Sequence, residues 1–239
     1  MKHLNPQTRV LVLTGAGISA ESGIRTFRDA GGLWEDHRVE DVASPEGFQN
    51  DPQLVWSFYK QRYRQAIATL PNPGHLALKR MEDALEDRFW LITQNVDGLH
   101  EDAGNKNLIE MHGSLHRCFC TGCGKIHQTA AIDLEAPLPY CSACEMLLRP
   151  DIVWFGEIPY QLGRIEQLLK KSDLFLIVGT SGTVYPAAGF VMTARYFGAK
   201  TVAVNLDPPH NGSFIDEFHQ GKAGDILPDL VDNWLQVIA

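Results

Sequence analysis

The apolar run Val10-Leu11-Val12-Leu13 passes directly into the glycine-rich stretch Thr14-Gly15-Ala16-Gly17-Ile18-Ser19-Ala20. An unbroken run of β-branched residues and leucine predicts a parallel strand that is buried on both faces. The pattern Gly15-x-Gly17-x-x-Ala20 then predicts a tight turn whose backbone can closely approach a pyrophosphate, with the N-terminus of a following helix facing the negative charge. Strand and turn together indicate a Rossmann-like nucleotide site.

The residues that follow the turn differ from those of a dehydrogenase. A dehydrogenase would continue with a second buried strand, ending about 20 positions on in an acidic residue that binds the ribose. Residues 26–38 of this chain are instead polar and aromatic and lack a strand pattern. We therefore expect a modified Rossmann site covered by an ordered loop, and hydride transfer is the less favoured alternative.

Strands and helices alternate along most of the chain. Three further apolar strands are predicted over residues 88–93, 173–178 and 200–205, and helical patterns cover residues 74–85, 161–171, 187–197 and 225–238. This alternation predicts an α/β fold with a parallel sheet. Because ligands bind at the carboxyl ends of such strands, the polar residues there should share one site with Gly15. They are Thr93-Gln94-Asn95, Gly179-Thr180-Ser181 and Asn205-Leu206-Asp207.

Two segments fall outside this alternation. Residues 51–70 have the pattern of one long helix that ends before Pro71. Residues 117–149 contain all five cysteines and show weak periodicity. We expect both segments to leave the sheet and to form a smaller second lobe together.

Composition limits the class of protein. With 239 residues, the chain can form one sizeable domain, or a large domain that carries a small one. Its net charge of −8 argues against a protein that coats nucleic acid and against a basic membrane-binding surface. No apolar run approaches the length of a membrane span, and the first residues lack the apolar segment of a signal peptide. A cytoplasmic enzyme is the resulting expectation.

Four of the five cysteines form the pattern C-x2-C-x17-C-x2-C, made of Cys120, Cys123, Cys141 and Cys144. Two such pairs can complete a tetrahedral shell of thiolates around zinc. We expect this zinc to be structural, because catalytic zinc usually keeps an open position and uses histidine or carboxylate ligands. Cys118, the fifth cysteine, is interpreted as a small buried side chain near the site.

His112 is the candidate general base, because an imidazole between apolar and glycine neighbours can exchange protons near neutral pH. Gln94, Asn95 and Asp97 follow a predicted strand and supply donors and acceptors for an amide or a ribose. A single histidine is more often structural than catalytic. The residues alone leave both interpretations of His112 open.

The sequence as a whole resembles the sirtuins, which are NAD-dependent protein lysine deacylases. The resemblance covers about residues 10–230 and rests on motifs in the family's order: GAGISAESGIRTFR from Gly15, TQNVDGLH from Thr93, EMHGS from Glu110, the paired C-x-x-C motifs, VWFGE from Val153, GTSGTVYPA from Gly179, and Val204-Asn205. It implies one catalytic domain, residues 1–239, whose large Rossmann-like lobe has helices on both faces of a parallel sheet and comprises residues 1–30, 72–115 and 150–239. The implied small lobe combines a helical module, residues 31–71, with a zinc-ribbon module, residues 116–149.

The resemblance also implies a cofactor and its site. NAD is the co-substrate, and one structural Zn²⁺ accompanies it. In the implied reaction the acyl oxygen attacks the nicotinamide ribose and expels nicotinamide. His112 then acts as general base on a ribose hydroxyl, and water finally releases free lysine and O-acyl-ADP-ribose. The residues implied to bind NAD are Gly15, Ala16, Gly17, Glu21, Phe27, Arg28, Trp34, Gln94, Asn95, Val96, Asp97, Gly179, Thr180, Ser181, Asn205, Leu206, Asp207 and Ala223.

Substrate segments in this family lie as an added strand between two loops. The residues that match these loops are Val153, Trp154, Phe155, Gly156, Val184 and Tyr185. In the predicted helix, Tyr59 and Arg62 are three residues apart and share a face. A phenol and a guanidinium there can hold the distal carboxylate of a succinyl or malonyl group.

The position of this pair resembles the sirtuin subclass that is selective for acidic acyl groups. Arg25-Thr26, where the family commonly has Pro-Asp, resembles the bacterial CobB-type branch. We therefore predict a deacetylase that also removes succinyl and malonyl groups.

Other functions fit parts of the sequence. Protein ADP-ribosyl transfer would use the same NAD site. The cysteine motif alone also fits a zinc-ribbon module for nucleic acid, but basic residues around it are sparse. As partners we expect acylated metabolic enzymes such as acyl-CoA synthetases, with no membrane and no direct nucleic acid, and we expect a monomer.

Overall fold

The computed structural model describes residues 5–25, 33–34, 37–210 and 212–238, with the backbone alone for residues 33, 34 and 238. The strands are β1 (Val10–Thr14), β2 (Leu33–Trp34), β3 (His37–Arg38), β4 (Phe89–Thr93), β5 (Leu108–Glu110), β6 (Gly113–Cys120), β7 (Ile126–Gln128), β8 (Leu148–Ile152), β9 (Leu174–Val178), β10 (Lys200–Asn205) and β11 (Glu217–Gln220). The α-helices are α1 (Ala16–Ala20), α2 (Val39–Val42), α3 (Pro45–Asn50), α4 (Pro52–Ile67), α5 (Pro73–Leu85), α6 (Leu99–Asp102), α7 (Leu162–Lys171), α8 (Phe190–Tyr196) and α9 (Ala223–Ile238). In the described ranges, every helix is too short or too polar to cross a membrane.

The described strands include a six-stranded sheet in the order β11-β10-β9-β1-β4-β5, in which each neighbouring pair is parallel. β1 lies near its centre, where Val10 pairs with Phe89 of β4 on one side and with Leu174 of β9 on the other. Every residue of β1 and β9 is buried. Central strands of a parallel sheet are covered on both faces, so their sequences are unbroken apolar runs. The predicted α/β sheet is confirmed.

Helices cover both faces of this sheet, as predicted. Successive side chains of a strand point to opposite faces. Accordingly, Val10 and Val12 of β1 belong to one hydrophobic cluster, and Leu11 and Leu13 belong to another. The first cluster includes buried residues of α5 and α9, and the second includes buried residues of α7 and α8. The sheet is therefore the middle layer of three.

The long helix predicted over residues 51–70 corresponds to α4. Its start is set by Asp51, whose carboxylate accepts the backbone N–H of Leu54 at 2.9 Å, and by Pro52 in the first turn. The helix predicted over residues 187–197 is shorter than expected. It begins with a 3₁₀ turn, Ala187–Gly189, before α8, a common arrangement at helix N-termini.

A third hydrophobic cluster lies apart from the sheet and forms the small lobe. It joins buried α4 residues, among them Trp56 and Tyr59, to residues of β6 and β8 such as Cys118 and Leu148. The Trp56 indole N–H also donates to the Leu148 carbonyl at 2.8 Å. Because α4 and the cysteine-bearing segment share one core, the expected small lobe with a helical and a cysteine-bearing module is confirmed. The residue boundaries given above for the two lobes stay a prediction.

Candidate active site

The polar strand ends of the large sheet meet at one edge, as the sequence predicts. The turn after β1 is tied to the turn after β9, because Gly17 N–H donates to the Gly179 carbonyl at 2.8 Å. The Asn95 amide, after β4, donates to the Gly15 carbonyl at 3.1 Å. At the end of β10, the Asn205 amide donates to the Thr180 carbonyl at 2.9 Å. The four strand ends therefore form a single site.

Two glycines allow this close approach. A Cβ on Gly17 would lie 2.7 Å from the Cα of Gly179, and a Cβ on Gly179 would lie 2.4 Å from the backbone nitrogen of Ile18. Gly179 also has a φ of 62°, which residues with a Cβ rarely adopt. The backbones of the two turns are packed directly on each other, so larger residues would separate them.

A buried polar chain continues from Asn95. Its amide also donates to the Ser19 hydroxyl at 3.0 Å, and Asp97 nearby accepts the backbone N–H of Leu99 at 3.0 Å. Burial raises the pKa of the Asp97 carboxyl, and the contacts with Leu99 and Ser19 offset part of this. Ser19 is not among the predicted site residues, although it lies inside the glycine-rich motif that predicts the turn.

The remaining predicted NAD residues are distributed around these turns. Glu21 accepts the backbone N–H of Gly224 at 3.0 Å, so its carboxylate lies at the start of α9 next to Ala223. The Val96 carbonyl accepts the backbone N–H of Leu115 at 2.8 Å. Ala16 is the first residue of α1. Leu206 and Asp207 are exposed, and Ser181 contacts the Thr183 hydroxyl at 2.7 Å. Phe27 and Arg28 lie outside the described residues, as does the side chain of Trp34, whose backbone is in β2.

His112 lies between β5 and β6, next to the β4 end of the site. Its Nδ1 is 3.1 Å from the Gln94 carbonyl oxygen. A carbonyl can only accept, so Nδ1 carries the proton and Nε2 keeps the lone pair that a base needs. Burial lowers the pKa of His112, and the contact with Gln94 offsets part of this shift. The structure thus brings His112 together with Gln94 and Asn95.

The loop that starts at Val153 is connected directly to His112, because Val153 N–H donates to the His112 carbonyl at 2.9 Å. Phe155 is 55% exposed, and Gly156 has a φ of 90°. Trp154, in contrast to Phe155, is buried: it is 2% exposed, and its ring belongs to the small-lobe core. On the second predicted substrate loop, Val184 and Tyr185 are both exposed.

Tyr59 and Arg62 are buried on one side of α4, with exposures of 2% and 7%. The Trp154 indole N–H donates to the Tyr59 hydroxyl at 2.9 Å. Burial raises the pKa of both Tyr59 and Asp97, and the positive charge of Arg62 offsets part of each rise, so its guanidinium lies near both groups. By contrast, Arg64 of the same helix forms an exposed ion pair with Glu135 at 2.6 Å.

The four cysteines of the paired motif form one cluster, in which the sulfur atoms lie within 4.8 Å of one another. The Cys120 and Cys144 sulfurs are 3.3 Å apart, and those of Cys123 and Cys141 are 3.8 Å apart. Thiolates around a tetrahedral zinc, with Zn–S bonds of about 2.3 Å, are separated by about 3.8 Å. Backbone N–H groups of Cys123 and Gly122 lower the pKa of the Cys120 thiol to about 6, which favours the thiolate that binds metal. The cluster fits one structural zinc ion.

Cys118 does not belong to this cluster. Its side chain is buried, and burial raises the pKa of its thiol to about 12. The interpretation as a small buried side chain near the metal site agrees with this environment.

This fold and this site define a known family. A model of the Sir2 family matches residues 15–186, more than half of the chain. The protein therefore belongs to the Sir2 family, and its resemblance to the sirtuins is confirmed.

Individual relatives are similar over nearly the whole chain. An NAD-dependent protein deacylase of Salmonella typhimurium is 52% identical over 230 residues, which cover 95% of this chain and 84% of the relative. Among solved structures, a complex of a Sir2 homologue with NAD has a TM-score of 0.88 at 38% identity, covering 96% of this chain and 90% of that one. A complex of Sir2 with a p53 peptide and NAD⁺ has a TM-score of 0.83 at 30% identity, covering 94% and 92%.

Proposed function

We propose that the protein is an NAD-dependent protein lysine deacylase, which forms nicotinamide, free lysine and O-acyl-ADP-ribose. One observation carries the proposal: His112, anchored through Nδ1 to the Gln94 carbonyl, lies at the edge where the strand ends of a Rossmann-like sheet meet. The deacylase name of the Salmonella typhimurium relative and the NAD complex of the Sir2 homologue support this chemistry.

The residues divide into three groups by position. The turn at Gly15–Gly17 would hold the diphosphate, because its glycine backbone leads into the N-terminus of α1. Gln94, Asn95 and Asp97 would hold the ribose and the nicotinamide amide, and the turns after β9 and β10 would hold the adenosine. Bound NAD supplies the ribose to which the acyl group is transferred. Nε2 of His112 would take a proton from a ribose hydroxyl.

We test the activity with acetyl-, succinyl- and malonyl-lysine peptides, with and without NAD, following peptide mass and nicotinamide release. We expect loss of the acyl mass only when NAD is present. His112→Tyr should abolish turnover, because it removes the imidazole that serves as the base. A peptide that gains the mass of ADP-ribose would favour the alternative transferase, and unchanged peptides at high NAD would refute the deacylase.

We further propose that Tyr59 and Arg62 hold the distal carboxylate of succinyl and malonyl groups. Both side chains are buried on the same side of α4, and Arg62 lies toward Asp97 and the strand-end site. Burial raises the pKa of Tyr59, so the phenol keeps the proton that it would donate to the carboxylate.

Arg62→Met tests this carboxylate clamp. A charge-assisted hydrogen bond contributes about 1.5–3 kcal/mol, so kcat/KM for the succinyl peptide should fall roughly 10- to 150-fold. Deacetylation should change far less. Arg64→Met is the matched control, because Arg64 is exposed and paired with Glu135. Equal losses of both activities in Arg62→Met would refute the clamp.

The partners follow from this activity. Acylated-lysine segments would lie between the Val153–Gly156 and Val184–Tyr185 loops as an added strand. The p53 peptide bound to the Sir2 relative supports protein substrates of this kind. Metabolic enzymes such as acyl-CoA synthetases, a cytoplasmic location and a monomeric state are our further proposals.

A further inference from the structure

The phenol of Tyr59 is held by a contact with the neighbouring loop. The Trp154 indole N–H donates to the Tyr59 hydroxyl at 2.9 Å, and both side chains are 2% exposed. An indole N–H can only donate, so the Tyr59 oxygen is the acceptor. The hydroxyl proton of Tyr59 must therefore point away from the indole.

Trp154 is itself held on several sides. The guanidinium carbon of Arg149 lies 3.5 Å from the centre of an indole ring, and Glu157 binds that guanidinium with both carboxylate oxygens, at 2.8 and 3.0 Å. Glu157 also accepts the backbone N–H of Trp154 at 2.8 Å. The ring of Phe48 packs at a centroid distance of 5.3 Å. The indole is thus fixed by a half-buried ion pair and by aromatic packing.

We propose that Trp154 is a positioning residue that sets acyl-group selectivity by orienting the Tyr59 hydroxyl toward the distal carboxylate held by Arg62. The proposal rests on the carboxylate clamp put forward above. A cation over the indole face draws electron density from the ring and strengthens its N–H as a donor. Arg149, over the indole face, and Glu157, bound to Arg149 and to the Trp154 backbone, therefore support the contact with Tyr59.

Trp154→Phe removes the N–H and keeps an aromatic ring in the core. A neutral hydrogen bond contributes about 0.5–1.5 kcal/mol, so we expect the ratio of kcat/KM for succinyl over acetyl peptides to fall roughly two- to twelvefold, mainly through a higher KM for the succinyl peptide. Trp56→Phe is the matched control. Its indole also donates inside the same core, but to the Leu148 carbonyl, at 2.8 Å. This control should leave the ratio unchanged.

A double-mutant cycle with Tyr59→Phe separates positioning from general packing. If Trp154 acts through the Tyr59 hydroxyl, Trp154→Phe should have little further effect on the ratio in the Tyr59→Phe background. An equal drop in that background, or equal losses for both acyl groups, would overturn the proposal. An unchanged ratio of succinyl to acetyl activity in the Trp154→Phe single variant would also overturn the proposal. If Arg62→Met still lost desuccinylation, the carboxylate clamp itself would stand. A wild-type protein that leaves succinyl-lysine intact would overturn clamp and positioning together.

Discussion

His112 combines a fixed orientation with lowered basicity. Its Nδ1 is tied to the Gln94 carbonyl, and the next residue, Gly113, has a φ of 85°. A Cβ on Gly113 would lie 1.9 Å from the Asp151 carbonyl oxygen, so only glycine fits there. Burial lowers the pKa of His112 from its ordinary value of 6.5. The ring is therefore neutral at pH 7, in the form required of a general base.

This environment predicts the pH dependence of catalysis. Protonation of His112 removes the base, and burial moves that protonation to lower pH than in an exposed histidine. We expect kcat/KM for an acetyl-lysine peptide to be flat above about pH 7 and to fall about tenfold per pH unit below the His112 pKa. The measurement is a pH–rate profile with the acetyl peptide, whose acyl group does not titrate. An acid limb centred above 6.5 would contradict the buried, neutral base.

Local chemistry predicts some site residues and misses others. Gly17 is predicted from the glycine-rich pattern after an apolar strand, and the structure requires glycine there because a Cβ would lie 2.7 Å from Gly179 Cα. Trp154 is predicted from its motif as a substrate-loop residue, yet its ring is buried and bonds to Tyr59, 95 residues away. Ser19 binds Asn95 across 76 residues. Contacts over such separations depend on how distant segments pack in the folded chain, which no local pattern encodes.

At the scale of elements, we expect the folding of the cysteine-bearing segment to depend on its metal site. Between Cys120 and Cys141 lie the three-residue strand β7 and little other regular structure. Both cysteines also belong to the core that this segment shares with α4. Structural zinc contributes roughly 10–16 kcal/mol to the folding of small modules. Loss of the metal should therefore loosen the core on which α4, and with it Tyr59 and Arg62, is packed.

Cys123→Ala tests this dependence. The variant should purify without its zinc equivalent and melt at a clearly lower temperature, because three thiolates leave the tetrahedral shell incomplete. Cys118→Ala is the matched control. It should keep the zinc and lose about 1 kcal/mol, since Cys118 is buried outside the cluster. Elemental analysis measures the zinc content, and thermal melting measures the loss of stability. Full zinc content in Cys123→Ala would argue against the four-sulfur site.

Element prediction succeeds where burial is complete and fails at the sheet margins. β1, β4, β9 and β10 are apolar runs, and the sequence predicts each of them to within one residue. β5 and β11 are edge strands of three and four residues that contain charged or polar side chains. They pair on one side only, so no apolar run marks them.

At the scale of the whole molecule, the proposed nucleotide site exists only when distant segments are assembled. The contacts Gly17–Gly179, Asn95–Gly15 and Asn205–Thr180 join the ends of four strands. Their order in the sheet, β10-β9-β1-β4, is set by long crossovers and could not be predicted from the strand sequences. Because each strand contributes only part of the site, a ligand bound there should stabilise the entire sheet.

We therefore expect NAD to raise the melting temperature of the protein, and Gly17→Ala to remove most of that increase. At an NAD concentration about 100 times Kd, binding adds about 2.7 kcal/mol, or roughly 5–10 °C for a chain of this size. The alanine Cβ would lie 2.7 Å from Gly179 Cα, so the turns after β1 and β9 would have to separate.

Gly163→Ala, in α7, is the matched control for that experiment. A Cβ added at Gly163 would meet no heavy atom within 4 Å, so this variant should keep the full NAD response while making its helix slightly more stable. Thermal melting of the wild-type protein and both variants across an NAD titration makes the comparison. If Gly17→Ala responded to NAD as strongly as Gly163→Ala, the diphosphate would have to bind away from the packed glycine turns.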